Sequence, residues 1–318
     1  MSGPLVSILI NNYNYARFLG VAIDSALTQS YVSTEVLVVD DGSTDNSREV
    51  ISRFGNRVTA IFKENGGQAS SFNAGVSACR GDILCFLDAD DFFHTKKVSR
   101  VVEFFQERGL KSKPFMVHHL LAVQNESGED IEDKPYGKTH ESPMNLYAFA
   151  KRHNFLWYQA GPTTSISINR ALADRLFPIP EKGVRISGDD FIVCGASLLA
   201  DVYSMPEILG GYRVHEKNNW FHSTQRKSPE FLCALQDYLN AKLVENDLSP
   251  VIYFDNSIYA WQGLLDDERW IKLGWHMLKL SIKQHDGYTA LWIYYTVMKI
   301  ARHVKRKMRQ KPVPAIEP

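Results

Sequence analysis

Short apolar runs alternate with helical periodicities along the N-terminal third of the chain. Residues 5–10 form a compact, partly β-branched run, the pattern of a buried strand. Phe18, Leu19, Ala22, Ile23, Ala26 and Leu27 then recur at helical spacing and predict an amphipathic helix over 15–29. Residues 35–39 predict a second strand. Ser43 or Thr44 suits the cap of the next helix, with Asp45 favoured in its first turn by the helix dipole. A third strand is predicted over 58–62. Gly66-Gly67 breaks the chain, and a helix follows over 68–79. Residues 83–87 predict a fourth strand and 98–107 a further helix.

Strand alternating with helix predicts an α/β fold: a Rossmann-like, mostly parallel sheet with helices on both faces and right-handed crossovers. A dinucleotide site of the common kind needs Gly-x-Gly-x-x-Gly after the first strand. The turn here is Asn11-Asn12-Tyr13-Asn14, with no glycine, which argues against one. Residues 124–143 are polar, with Gly128, Pro135 and Gly137, and read as a loop or hairpin crossing near the sheet end. Residues 164–168 and 201–206 predict further strands around a helix over 190–199. Beyond about 218 the pattern shifts to longer helical repeats rich in tryptophan and tyrosine. The expected division is therefore a domain over 1–217 and a C-terminal helical extension over 218–318.

Composition narrows the function classes. Of 318 residues, 44% are hydrophobic and 23% charged, as in a globular chain, and the formal net charge is zero. Neutrality argues against a nucleic-acid partner. A basic cluster, Arg302, Lys305, Arg306, Lys307 and Arg309, closes the chain with no acid among them. With the aromatic helices before it, residues 291–311 fit either peripheral contact with an anionic membrane face or a helical cap with a solvated tail. The four cysteines make no Cys-x-x-Cys pair. No apolar run reaches spanning length and the N-terminus lacks a signal-peptide pattern, so a cytoplasmic chain is expected.

Two acidic clusters carry the chemistry. Asp40-Asp41-Gly42-Ser43 follows the second strand, and Asp88-Ala89-Asp90-Asp91 follows the fourth. In open α/β sheets ligands bind beyond the carboxyl ends of the strands. An Asp-x-Asp there is a seat for a hard divalent cation carrying a substrate diphosphate.

Val6-Ser7-Ile8-Leu9-Ile10-Asn11-Asn12-Tyr13-Asn14, then Val38-Val39-Asp40-Asp41-Gly42-Ser43-Thr44-Asp45, then Phe86-Leu87-Asp88-Ala89-Asp90-Asp91, resemble in order the family 2 inverting glycosyltransferases of GT-A fold. The resemblance implies a nucleotide-sugar donor (a UDP-sugar), Mn²⁺ or Mg²⁺, and a saccharide or lipid-linked acceptor in polysaccharide or glycoconjugate assembly. It assigns Asn11 and Tyr13 to the nucleobase and Asp41 to the uracil N–H. Asn65, Gly66, Gln68 and Asn73 fall to the nucleotide, Asp88 and Ala89 to the ribose and diphosphate. Asp88, Asp90 and His215 fall to the metal, and the pair Asp189-Asp190 to the base that deprotonates the acceptor. Two positions depart from the family pattern: Asn11, where proline or a small polar residue is common, and Phe72, where arginine is common. Arg213 offers a phosphate partner, Asp91 a substitute metal ligand, and Trp157 and Tyr158 either a sugar-stacking face or core packing. A nucleotidyltransferase and a non-catalytic nucleotide-sugar-binding protein are the competing readings.

Overall fold

The computed structural model describes residues 3–109, 113–153, 156, 160–182, 184–216, 218 and 229–252. The strands are β1 (Val6–Asn12), β2 (Thr34–Asp40), β3 (Thr59–Phe62), β4 (Ile83–Asp88), β5 (Phe92–Phe93), β6 (Phe115–Gln124), β7 (Ile166–Asn169) and β8 (Asp201–Arg213). The helices are α1 (Ala16–Leu27), α2 (Ser47–Ser52), α3 (Gln68–Ala78), α4 (Lys97–Glu107), α5 (Tyr147–His153), α6 (Arg170–Leu176), α7 (Asp189–Leu199) and α8 (Pro229–Glu245). The chain divides into two compact units, Met1–Gln225 with Cys233–Ile252, and Arg226–Leu232 with Tyr253–Pro318. The first carries the whole sheet. The aromatic and basic C-terminal segments, and Trp157 and Tyr158, lie outside the described residues.

One sheet runs in the order β3-β2-β1-β4-β7-β6-β8-β5. Its first half is parallel, as the strand–helix alternation predicts. Both faces of β1, β2 and β4 are covered, so these three are nearly continuous apolar runs, while the edge strand β3 is largely exposed. Val6, Ile8 and Ile10 pack with Leu19 and Ile23 of α1 and with Val98, Val101 and Phe105 of α4.

The second half is mixed. β7 runs antiparallel to β4 and β6, while β8 lies parallel to β6 and antiparallel to β5. The strand predicted over 164–168 begins with a tight turn at Thr163–Ser165 and becomes β7. The strand predicted to stop at Pro206 continues to Arg213. Its pairing with β6 jumps from Met205 to Ile208, so the proline sits in a bulge where no ladder N–H is needed. The segment after β6 folds back along it, with Leu121 and Tyr136 exchanging backbone bonds of 3.0 and 2.8 Å.

Two features of this topology build the site. Register sets Asn12 beside Asp40 and Asn11 beside Asp88, so the end of β1 lies between the two acidic clusters. The antiparallel return of β7 and the β5–β8 pairing bring the 163–165 turn and Arg213 to the same end. Among the described residues no helix is long and apolar enough to cross a membrane.

Candidate active site

The first cluster is a hub for loops. Asp40 is buried and accepts from Asn12 Nδ2 at 2.7 Å and from the Ser43 N–H at 3.3 Å. Asp41 is also buried, and it accepts from Lys63 Nζ at 2.6 Å and from the N–H groups of Gly66 and Gly67 at 2.9 and 2.7 Å. The 63–67 loop is thereby folded against the end of β2. Asn65 donates to the Asp41 carbonyl at 3.0 Å and accepts from Arg185 at 2.6 Å. Gly67 has φ +89°, and a Cβ there would lie 2.6 Å from Arg185 Cα. Only glycine allows that backbone crossing.

The second cluster is denser. Carboxylate oxygens of Asp88, Asp90 and Asp91 all lie within 4.8 Å of one another. Asn11 Nδ2 donates to Asp88 at 2.9 Å. Asp90 Oδ2 lies 3.0 Å from His215 Nε2, and the imidazole packs against Tyr15 and Phe18. Asp91 is buried with both oxygens committed: it accepts from Thr164 Oγ1 at 2.5 Å and from the Arg213 N–H at 2.9 Å. Ala89 is buried in the turn, its N–H donating to the Asn11 carbonyl at 3.2 Å.

Electrostatics follow from this crowding. Burial first, then the charge of Asp90, pushes the Asp88 carboxyl up to about 7; the bond from Asn11 opposes this. Asp91 is driven up by burial and by Asp90 and Asp88, against the bond from Thr164. The phenols of Tyr15 and Tyr212 are raised by burial and then by these acids, and that of Tyr136 by burial and then by Asp189 and Asp91, so they stay protonated hydrogen-bond donors.

Asp189 and Asp190 stand in the first turn of α7, entered through Ser187 at φ +63°. The charge of Asp189 reaches Asp88 and Tyr136. Gln68, at the start of α3, accepts from the Gly188 N–H at 2.8 Å, joining the glycine loop to the start of α7.

The sequence-predicted residues thus form two connected groups. Asn11, Asp88, Asp90 and His215 meet directly, with Asp189 within electrostatic reach. Asp41, Asn65, Gly66 and Gln68 form the adjoining loop hub. Tyr13 is 46% exposed just past β1, its ring offered to solvent. Asn73 stands apart from both groups in its bonding. Its amide is spent on the backbone of Ile179, at 2.8 and 2.9 Å, and on Glu181 at 2.9 Å. Arg213 is buried, donates to the Asp90 carbonyl at 2.9 Å and lies over Phe18 and Phe92, so its partners are internal. Thr164 belongs to the 161–164 stretch, which the family resemblance assigns to a donor- or acceptor-facing loop, and it meets Asp88 and Asp91; Lys63, Tyr15, Tyr136 and Tyr212 join the site without a sequence motif to announce them.

Residues 7–112 match the model of glycosyl transferase family 2. An uncharacterized glycosyltransferase of Nostoc sp. is 33% identical over 229 residues, covering 71% of this chain and 69% of its own length. The chain belongs to glycosyl transferase family 2. A chondroitin synthase of Pasteurella multocida is 44% identical over 111 residues, 34% of this chain and 12% of that one. Among solved structures, S. aureus TarS 1–349 in complex with UDP-GlcNAc has a TM-score of 0.57 at 18% identity, covering 82% of this chain and 71% of that one. At that identity the likeness is one of fold, and it is the GT-A fold. Family membership makes this chain a sugar-transferring enzyme and sets aside the nucleotidyltransferase and non-catalytic readings.

Proposed function

We propose that this glycosyltransferase moves a sugar from a UDP-sugar to a saccharide or lipid-linked acceptor, inverting the anomeric centre, in polysaccharide or glycoconjugate assembly. The observation that carries the proposal is a junction of three segments. Asn11 and Asn12 tie the end of β1 to the acids after β4 and β2, and the charge at the start of α7 reaches Asp88. TarS, a fold neighbour, has been solved with UDP and with UDP-GlcNAc, which supports a uridine donor. The Pasteurella relative is by name a polysaccharide synthase, which supports a saccharide product.

The exposed face of Tyr13 suits stacking on a planar base. The glycines of the 63–67 loop let backbone approach the nucleotide, while Asp41 holds that loop in place.

The family resemblance implies a divalent cation, and the donor set fits one. Three carboxylates converge, and burial together with the charge of Asp90 drives the Asp88 carboxyl upward, a penalty that a hard cation would offset. Asp88 and Asp90 would hold Mn²⁺ or Mg²⁺, with His215 beside Asp90. The cation, when bound, supplies Lewis-acid neutralisation of the departing diphosphate.

Asp190 takes the proton of the acceptor hydroxyl. It stands in the first turn of α7. The freed oxygen attacks from the face opposite the diphosphate, which inverts the anomeric carbon. One observation favours a second assignment: the charge of Asp189 reaches both Asp88 and Tyr136. The test is a donor panel read by released nucleoside diphosphate, with Mn²⁺, Mg²⁺ or EDTA, on the native chain, Asp190→Asn and Asp189→Asn. The proposal expects UDP release that needs a cation and falls far more in Asp190→Asn. Release that ignores EDTA, or an unchanged Asp190→Asn, contradicts it.

A further inference from the structure

We infer that Gln68 is a positioning residue that sets the start of the helix carrying Asp189 and Asp190 against the acid cluster at Asp88. This rests on the reading above and reassigns Gln68 from nucleotide ligand to a link between the donor and acceptor halves of the site.

The side chain is used at both ends. Its Oε1 accepts from the Gly188 N–H at 2.8 Å, and its Nε2 donates to Thr163 Oγ1 at 3.4 Å, a long contact. The first bond fixes the amide orientation, because only the oxygen can accept from an N–H. The nitrogen must then face Thr163. The same turn reaches the acid cluster through the next residue, whose Thr164 Oγ1 accepts from the Asp88 N–H at 3.2 Å. The contacts therefore join Gly188 through Gln68 to the 163–164 turn, and that turn to Asp88.

Backbone contacts brace the same junction. The Gln68 N–H donates to the Arg185 carbonyl at 3.0 Å. Gly188 lies against α3 so closely that a Cβ would be 3.1 Å from the Ala69 nitrogen and 3.1 Å from the Phe72 ring. One residue of α3 thus braces both where α7 begins and the 163–164 turn that meets Asp88. Misplacement by about 1 Å between base and donor is enough to cost about 100-fold in rate.

The test separates positioning from nucleotide binding. Gln68→Ala removes both bonds, and Gln68→Glu keeps the acceptor for Gly188 while losing the donor to Thr163. UDP affinity is measured by calorimetry, and UDP release from UDP-GlcNAc gives kcat and KM. Hydrogen exchange at 188–191 reports the α7 entrance independently of the donor. Positioning predicts UDP affinity and donor KM within about twofold of the native chain, with kcat down about 30-fold in Gln68→Ala. Gln68→Glu should fall between, and exchange at 188–191 should quicken in Gln68→Ala. Thr163→Val should lower kcat alone, and Thr163→Ser should restore it. Weakened UDP binding with kcat unchanged at saturation would make Gln68 a nucleotide ligand and overturn the inference. So would unchanged kcat in both Gln68 variants. Asp190→Asn run alongside distinguishes the two claims. If it turns over normally, the base assignment fails, while the Gln68 kcat and exchange results still decide the positioning role.

Discussion

Asp90 and His215 meet at 3.0 Å, carboxylate to imidazole, across 125 residues of chain. The β5–β8 pairing makes the meeting possible, and Tyr15 and Phe18 hold the ring against the acid. The end of the sheet is closed by this contact on one side and by the start of α7 on the other.

Asp90→Asn should therefore lose cation response before it loses structure. Asparagine keeps the size of the side chain and its contact with His215, and the Asp90 carbonyl still accepts from Arg213, so the fold should persist. Mn²⁺ should raise the thermal midpoint of the native chain and leave that of Asp90→Asn unmoved. Turnover should fall by about 100-fold or more. A midpoint shift of equal size in both proteins would place the cation elsewhere.

Asp41 is predicted to be a stability residue as well as a site residue. Asp41→Asn keeps the shape but removes the charge that Lys63 and two N–H groups converge on. Losing one partner of a buried, hydrogen-bonded charge pair costs about 3 kcal/mol. Urea unfolding should report a loss of that order, and Lys63→Met in the Asp41→Asn background should add little.

Gly67→Ala should damage the site from a distance. The position combines φ +89° with a Cβ path blocked by Arg185. Strain of this kind costs about 1–3 kcal/mol, and its relief must displace the 184–188 segment that leads into α7. Activity should fall further than the stability loss alone accounts for, which steady-state rates measured well below the unfolding midpoint will check.

Acid should weaken the fold through His118 and His119. Burial, the first cause for each, pushes both pKa values down to about 3. In the unfolded chain they titrate near 6.5. Their contribution is therefore fully present above about 6.5 and is lost as pH falls toward 3. Each costs up to about 1.4 kcal/mol per pH unit in that window. Asp88, raised to about 7, acts in the opposite sense between about 7 and 4, and Asp91 is raised in the same direction, so the net slope is smaller. His119→Gln isolates the histidine part: between pH 6 and 4 its stability should fall less steeply than that of the native chain. Parallel slopes would contradict the assignment.

Part of this molecule could be read from the chain and part could not, for local reasons. β1, β2 and β4 are apolar on both faces and end in acids, so periodicity and motif agree. β6 escaped notice because His118 and His119 interrupt its apolar run, although both are buried there as neutral rings. β8 looked finished at Pro206 because a proline reads as a stop unless a bulge takes it up. The acid clusters were legible as chemistry, but their support was not. Thr164 reaches Asp91 from 73 residues away and the Arg213 N–H reaches it from 122, through an antiparallel turn-back that no local spacing encodes. Asn73 shows the converse: a motif position next to a glycine loop whose amide is spent holding the 179–181 segment.

The central claim is that the acids after β2 and β4 and the first turn of α7 surround one nucleotide-bearing cation. The most direct measurement is a crystal of the full chain grown with UDP and Mn²⁺, with anomalous scattering used to locate the manganese. The account predicts one strong peak on the Asp88 and Asp90 carboxylates, with the uracil beside Tyr13 and the diphosphate facing Asp189 and Asp190. A peak remote from those carboxylates, or UDP seated away from the end of β1, would contradict it.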